Sequence, residues 1–487
     1  MPQSSSNGQD GVSAIHVALF SVEAIAASII IIYLLMSNFN KKSLKETFYS
    51  SDKILIYILS TIVLSTILFS GDLFATKFIS QESASEATMQ TSDRGDNQSA
   101  STESTGATTI TNTQTISEDL SSENSDESVI LVKDGGNATI SGTFTKSGDS
   151  TNTESSEFYG VNAAILVTKS STATIKNATI KTSAKGANAV FSTGEESKIY
   201  ISDSIIESTG SSSARGLDAT YGGYIEGKNL TVTTQGGSCA TLATDRGEGT
   251  VIVSDSKLET NGSGSPVIYS TGNIQLSNSD GTANGSQMVV IEGKNSATIT
   301  SSNLTASAKG NRGDTDQAGV MIYQSMSGDA SEGTGTFTAK NSNLTIPADS
   351  DYYKTAPMFF ITNTDAVINL TNTTLNYGSN TLISAKGTDQ WGSSGKNGGN
   401  LTFNATNETL KGNIEADNIS TLSLNLSSSN YTGTINGTNT AKSISLTIDS
   451  NSKITLTGDS YVTSFSGNKS NINFNGHKLY VNGTAIN

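Results

Sequence analysis

Val251-Ile252-Val253-Ser254-Asp255-Ser256-Lys257-Leu258 decides the fold, because its order of side chains returns along most of the chain in approximate copies. The order is apolar, any, apolar, any, turn-former, any, any, apolar. It returns at Ala173-Thr174-Ile175 with Ile180, at Ile199-Tyr200-Ile201 with Ile206, at Ala297-Thr298-Ile299 with Leu304, at Ile368-Asn369-Leu370 with Leu375, and at Ile472-Asn473-Phe474 with Leu479. Within a copy the apolar residues alternate, which is the period of a strand with one buried face. Between copies the spacing is roughly 21 to 28 residues, stretched by insertions, and such self-similarity marks a solenoid in which each copy is one coil.

The turn-former sharpens this reading. It stands two residues after the last apolar residue of the first strand, at Asn177, Asp203, Gly227, Asp255, Asn278, Ser301, Asn341, Asn372 and Asn407. Asn, Asp and Gly adopt a left-handed backbone at low cost, so one sharp bend per coil is expected there. A further apolar strand precedes each copy, as at Cys239 to Leu242, Val267-Ile268, Met288 to Ile291 and Val320 to Ile322. Three short strands per coil give a parallel β-helix. With coils about 4.8 Å apart, about thirteen of them make a rod on the order of 60 Å long.

Composition agrees. In 487 residues there are 46 Gly, 4 Pro, 15% charged and 6% aromatic side chains, too little Leu, Glu and Lys for a helical protein. Cys239 is the one cysteine, so no intramolecular disulfide exists, and its apolar neighbours Ala240 to Leu242 suit a buried thiol. A net charge of −15 argues against a nucleic-acid partner, which requires concentrated Lys and Arg.

In chain order, residues 1–12 form a tail without Lys or Arg, and residues 13–36 form an apolar run long enough to cross a bilayer. A loop at 37–53 carries Lys41, Lys42, Lys45 and Lys53, and a second apolar run occupies 54–75. The positive-inside rule puts the loop in the cytoplasm and both ends outside, so a retained two-helix hairpin is expected in preference to a cleaved signal peptide. Residues 76–106 are acidic and rich in Ser and Thr with few aliphatic side chains, which is the composition of a linker. Residues 107–487 hold the coils.

Arg215-Gly216-Leu217-Asp218-Ala219-Thr220-Tyr221-Gly222-Gly223, Ala243-Thr244-Asp245-Arg246-Gly247, Gly319-Val320-Met321-Ile322-Tyr323-Gln324 and Gly458-Asp459-Ser460-Tyr461-Val462-Thr463-Ser464 resemble segments of bacterial adhesin-like surface proteins of the pectate-lyase-like superfamily. The resemblance covers the chain from about Ala107 onward. It implies an all-β, right-handed parallel β-helix at the cell surface; it implies much less about activity, because that superfamily holds adhesins and enzymes alike. The general preference for right-handed parallel crossovers points the same way.

Candidate site residues come from the strand that precedes each copy. With Leu217, Leu242, Ile268, Ile291 and Ile322 aligned and facing inward, alternation turns Asp218, Tyr269, Glu292 and Tyr323 outward, with Asp245 and Lys294 beside them and Arg246 at a strand end. Arg215 and Tyr221 flank the same row. Charge is scarce elsewhere, and rings with carboxylates and guanidinium on a rigid face suit a polymer of sugars. The plainer reading of the same residues is a solvated face with incidental ion pairs. Trp391, the one tryptophan, lies in a glycine-rich insertion and reads equally as a sugar platform or as a loop anchor. Oxygen-rich insertions at 307–318 and 345–356 have no calcium-motif spacing. No phosphate loop, zinc spacing or nucleotide fingerprint is present, so no cofactor or metal is expected.

The expectation is therefore a membrane-anchored, extracellular β-helix that binds glycan or another surface ligand. The alternative is a polysaccharide lyase or glycoside hydrolase, with Asp245 and Glu292 as its carboxylates.

Overall fold

A computed structural model describes residues 102–312 and 315–486. Strands Lys198–Ser208 and Tyr224–Thr234 show how one coil rests on the next. They pair in parallel with Ile199 opposite Ile225, Ile201 opposite Gly227 and Ile206 opposite Val232. Ile199, Ile201 and Ile206 are buried, whereas Tyr200 and Ile205 between them are exposed. That alternation repeats coil after coil and fills the lumen with aliphatic side chains, each contributing roughly 1.5–3 kcal/mol by leaving water.

The chain is all-β over the described residues apart from short helical turns, and it winds as a parallel β-solenoid with three faces. The first face is a twelve-stranded sheet running from Thr105–Ile110 to Asn413–Ala416. The second face lies before the bend of each coil and the third after it, and strands such as Lys198–Ser208 run through both. Every strand pairing joins neighbouring coils in parallel, except that Leu479–Val481 pairs antiparallel with Thr484–Ala485.

The expected bend is found at Asn177, Asp203, Asp255, Asn278, Ser301, Asn341, Asn372 and Asn407, all with φ between 50 and 55°. Gly227 is the exception. It pairs with Ile201 and Val253 as an extended strand residue, and the bend falls two residues later at Asn229, φ 54°. A Cβ at Gly227 would lie 2.7 Å from Leu230 Cδ1, so glycine serves packing there and not the turn. The last copy is also displaced: Ile472 pairs with Ile454 on the third face, and Leu479 pairs with Ser460.

In several coils the residue after the bend is a serine, and these serines build a second regularity that the repeat pattern does not reveal. Ser256, Ser279, Ser302 and Ser342 each accept, on the side-chain oxygen, the backbone N–H of the equivalent residue one coil earlier, at 2.9–3.2 Å. Each hydroxyl also donates to the carbonyl two residues before it. This ladder satisfies backbone groups at a corner where sheet pairing stops. At Glu408 a carboxylate takes the place of the hydroxyl, accepting the N–H of Thr373 at 2.8 Å.

The outer side of the first sheet is partly covered. The helix Thr153–Tyr159, capped by Asn152 and ended by left-handed Gly160, meets that side through Thr220 Oγ1 donating to the Phe158 carbonyl. Leu131, Leu166 and Phe191 form a small apolar cluster on the same side.

Among the described residues no helix is long and apolar enough to cross a membrane. The tail, both apolar runs, the lysine loop and most of the acidic linker lie outside the described residues.

Candidate functional site

The outer side of the first sheet carries the expected carboxylates, but not in the expected register, and they are enclosed. Val289, not Ile291, pairs with Ile268, because Val289 and Ile291 are both inward and apolar and period two cannot choose between them. Glu292 accordingly lies beside Tyr323 and diagonal to Tyr269. Asp218, Asp245 and Glu292 do leave the lumen side as alternation requires. All three are then enclosed, Asp245 and Glu292 at 2% and 1% exposure.

Arg215 is the centre of the first enclosed group. Its Nη1 lies 2.6 Å from Asp218 Oδ2 and 2.7 Å from Asp245 Oδ2, while Nη2 lies 3.2 Å from Glu157 Oε1. Glu157 comes from the covering helix, so the pair ties that helix to the sheet. Burial pushes Asp245 well above the usual carboxylate range, against the pull of Arg215, and pushes Asp218 up in the same sense. Burial opposes the guanidinium's charge too, but three carboxylates around it keep Arg215 cationic. Such an enclosed group ties the helix to the sheet and orders structure.

Glu292 is the centre of the second. Its Oε2 accepts from Tyr269 Oη and Tyr323 Oη, both at 2.9 Å, and its Oε1 accepts from the N–H and hydroxyl of Ser325. Burial raises its pKa, opposed by those bonds, and burial likewise raises both phenols. The carboxylate therefore pins the loop that follows Tyr323. Arg246 spans from the Phe158 ring, 3.9 Å from its centroid, to Asp329 of that loop at 2.8 Å. Tyr221 stacks on Tyr159 at 5.2 Å, and Lys294 pairs with Glu248 at 2.7 Å on the surface.

Trp391 is a buried anchor. Its ring meets Tyr323 edge-on at 5.1 Å within a cluster of Val290, Ala318, Met321 and Phe360, and its carbonyl takes Asn397 Nδ2 at 2.7 Å. Asp316 accepts from the N–H groups of Asn311 and Arg312 in its own insertion. Among the described residues no group of three or more His, Cys, Asp or Glu is placed to hold a metal ion. Cys239 is buried as expected, its thiol pushed up to about 11 by burial.

An accessible aromatic pair lies on the second face. Tyr200, 40% exposed, and half-buried Tyr224 lie side by side with centroids 6.1 Å apart. Register places Tyr200 beside Glu226 and Tyr224 beside Lys198, and Tyr224 Oη donates to Glu226 Oε2 at 2.9 Å. The file that passes from Thr174 to Tyr200 continues through Glu226, Ile252, Gln275, Thr298, Thr338, Asn369, Asn404 and Asn425. Asn404 and Asn425 each donate one amide hydrogen bond, at 2.9 Å, to the asparagine before them. From Gln275 onward the residues of this file are neutral and polar, and each stands on a strand held from both sides.

The period-two frame already implied Tyr200: a residue between inward Ile199 and Ile201 must face outward. The outward positions of this strand look bland when sampled at Thr174, Thr298 and Asn369, and Tyr200 and Tyr224 break that uniformity.

These features define a parallel β-solenoid with a rigid polar face. No family model, no curated protein and no solved structure matches the chain.

Proposed function

We propose that this is an adhesin-like surface protein in which the two apolar runs at 13–36 and 54–75 anchor a right-handed β-helix outside the membrane. Its second face, around Tyr200 and Tyr224, binds a glycan. The observation that carries this reading is the pair of exposed Tyr200 and half-buried Tyr224, flanked by Lys198 and Glu226 on backbone fixed from both sides. Aromatic rings accept the apolar face of a sugar, while amide and hydroxyl side chains of the adjoining file meet its hydroxyls. Rigid strands lower the ordering cost of binding, which favours affinity for an extended ligand.

The enzymatic alternative relied on Asp245 and Glu292, whose oxygens are occupied by Arg215, Tyr269, Tyr323 and Ser325. Incubating the full-length protein in detergent with a panel of neutral and acidic polysaccharides tests both readings. Retention of a polysaccharide without new reducing or unsaturated ends supports binding. New ends that vanish in Asp245→Asn or Glu292→Gln would replace it with catalysis.

A further inference from the structure

The third face is interrupted once where the repeat calls for continuity. Thr374–Asn376 pairs with Asn343–Thr345 of the coil before, and Thr409–Lys411 pairs with Asn430–Gly433 of the coil after, but the two do not pair with each other. On either side the coils are in contact. Asn372 N–H donates to the Thr406 carbonyl at 3.2 Å, and Asn413 N–H to the Asn380 carbonyl. Between those points the strands part around a cleft of about 680 Å³.

Glu408 stands at the parting. A glutamate carries its acceptor oxygen two bonds further from the backbone than a serine does, and the rung from Thr373 ends on this longer side chain where strand pairing is interrupted. Its Oε2 is buried and has no hydrogen-bond partner. Leu375, whose equivalents Leu344 and Leu410 are buried, is left half-exposed.

Alternation fixes which backbone groups face the cleft. Thr374 N–H and the Asn376 carbonyl bond the preceding coil, so Leu375 turns its N–H and carbonyl to the cleft. The Glu408 carbonyl and Gly412 N–H bond the following coil, so Thr409 and Lys411 turn theirs to it from the other side. Among the described residues no backbone bond crosses between them. The Lys411 carbonyl instead takes the hydroxyl of Tyr377.

Two facing strand edges with open N–H and carbonyl groups are the arrangement that strand addition uses. We propose that this cleft receives an extended acidic peptide segment of a partner protein, which adds as a strand in place of the Tyr377 clasp. Main-chain groups of Leu375, Thr409 and Lys411 supply the pairing. Half-exposed Leu375 offers one apolar contact, and Lys411 is the one charged side chain in the lining, a local cation on a chain of net charge −15. Threonine and asparagine walls, Thr374 and Asn380 among them, suit small side chains.

The test pans the full-length protein in detergent with a phage library of random linear heptapeptides, side by side with Glu408→Ser. That substitution gives this coil the short rung of its neighbours and closes the cleft. Expected are acidic sequences enriched on the wild type over the variant. Their synthetic forms should lose about tenfold in affinity when alternate backbone amides are N-methylated, since pairing hydrogen bonds are removed. Tyr377→Phe, which frees the Lys411 carbonyl, should bind as well or better. Equal enrichment on wild type and a folded Glu408→Ser, or N-methylated peptides that bind unchanged, overturns the proposal. So does binding at this cleft by cellohexaose in place of any peptide. The N-methyl comparison needs only the wild type and decides the matter even if Glu408→Ser does not fold.

Discussion

The backbone N–H of Thr373 donates to Glu408 Oε1 at 2.8 Å, at the position of the repeat where neighbouring coils present the hydroxyls of Ser342 and Ser429. A carboxyl in a ladder of hydroxyls has a consequence for pH. Burial pushes Glu408 up to about 7, opposed only by the Thr373 hydrogen bond. The folded protein then holds this proton more tightly than the unfolded chain, whose glutamate titrates near about 4.3. Stability from this group is complete below that value and is lost as pH rises through about 7, by roughly 3 kcal/mol in total. Thermal melts should therefore fall between pH 5 and pH 8, and Glu408→Gln should flatten most of that slope. A slope unchanged by the substitution would place the titration elsewhere.

The bend at Asn229 can be separated from the extended glycine at Gly227 by substitution. Asn229→Val puts a β-branched residue at φ 54° and should cost about 1–2 kcal/mol. Asn229→Gly should be close to neutral. Denaturant unfolding of both variants checks this, and equal stability of the two would mean that the turn is elsewhere.

Arg215 is the one cation that Asp218, Asp245 and Glu157 share in their enclosed group. Arg215→Met should destabilise by roughly 3–5 kcal/mol, because the carboxylates stay buried without their partner. Arg215→Lys should recover little of this, since one ammonium does not reproduce contacts made by separate nitrogens of the guanidinium fork. Neither should change glycan affinity in protein that remains folded. A selective loss of binding would restore this group to the ligand site.

How far the sequence shows all this depends on what period two can resolve. The inward residues of the strands, the left-handed bends and the parallel stack follow from alternation and from Asn and Asp at fixed spacing. The outward direction of Asp218 and Glu292 follows too. Their burial does not, because it is imposed by residues remote in sequence: the helix Thr153–Tyr159 and the loop carrying Ser325 and Asp329. Register is ambiguous wherever two inward aliphatics sit two apart, as at Val289 and Ile291. The break in the third face falls where a carboxyl stands in for a hydroxyl at one rung, a change that a pattern of apolar positions does not record.

Anchoring is tested in intact cells. Protease added outside should release the β-helix by cutting in the acidic segment 76–106, leaving the lysine loop 37–53 untouched. Protection of the whole chain until lysis would contradict an extracellular solenoid.

The most direct measurement is a binding isotherm for a polysaccharide retained by the wild type, repeated with Tyr200→Ala and Tyr224→Ala. Stacking of sugar on these rings should make each substitution weaken binding by about tenfold, with the melt displaced only slightly because both rings stand outside the lumen. Affinity unchanged in the double variant would contradict a glycan site on the second face.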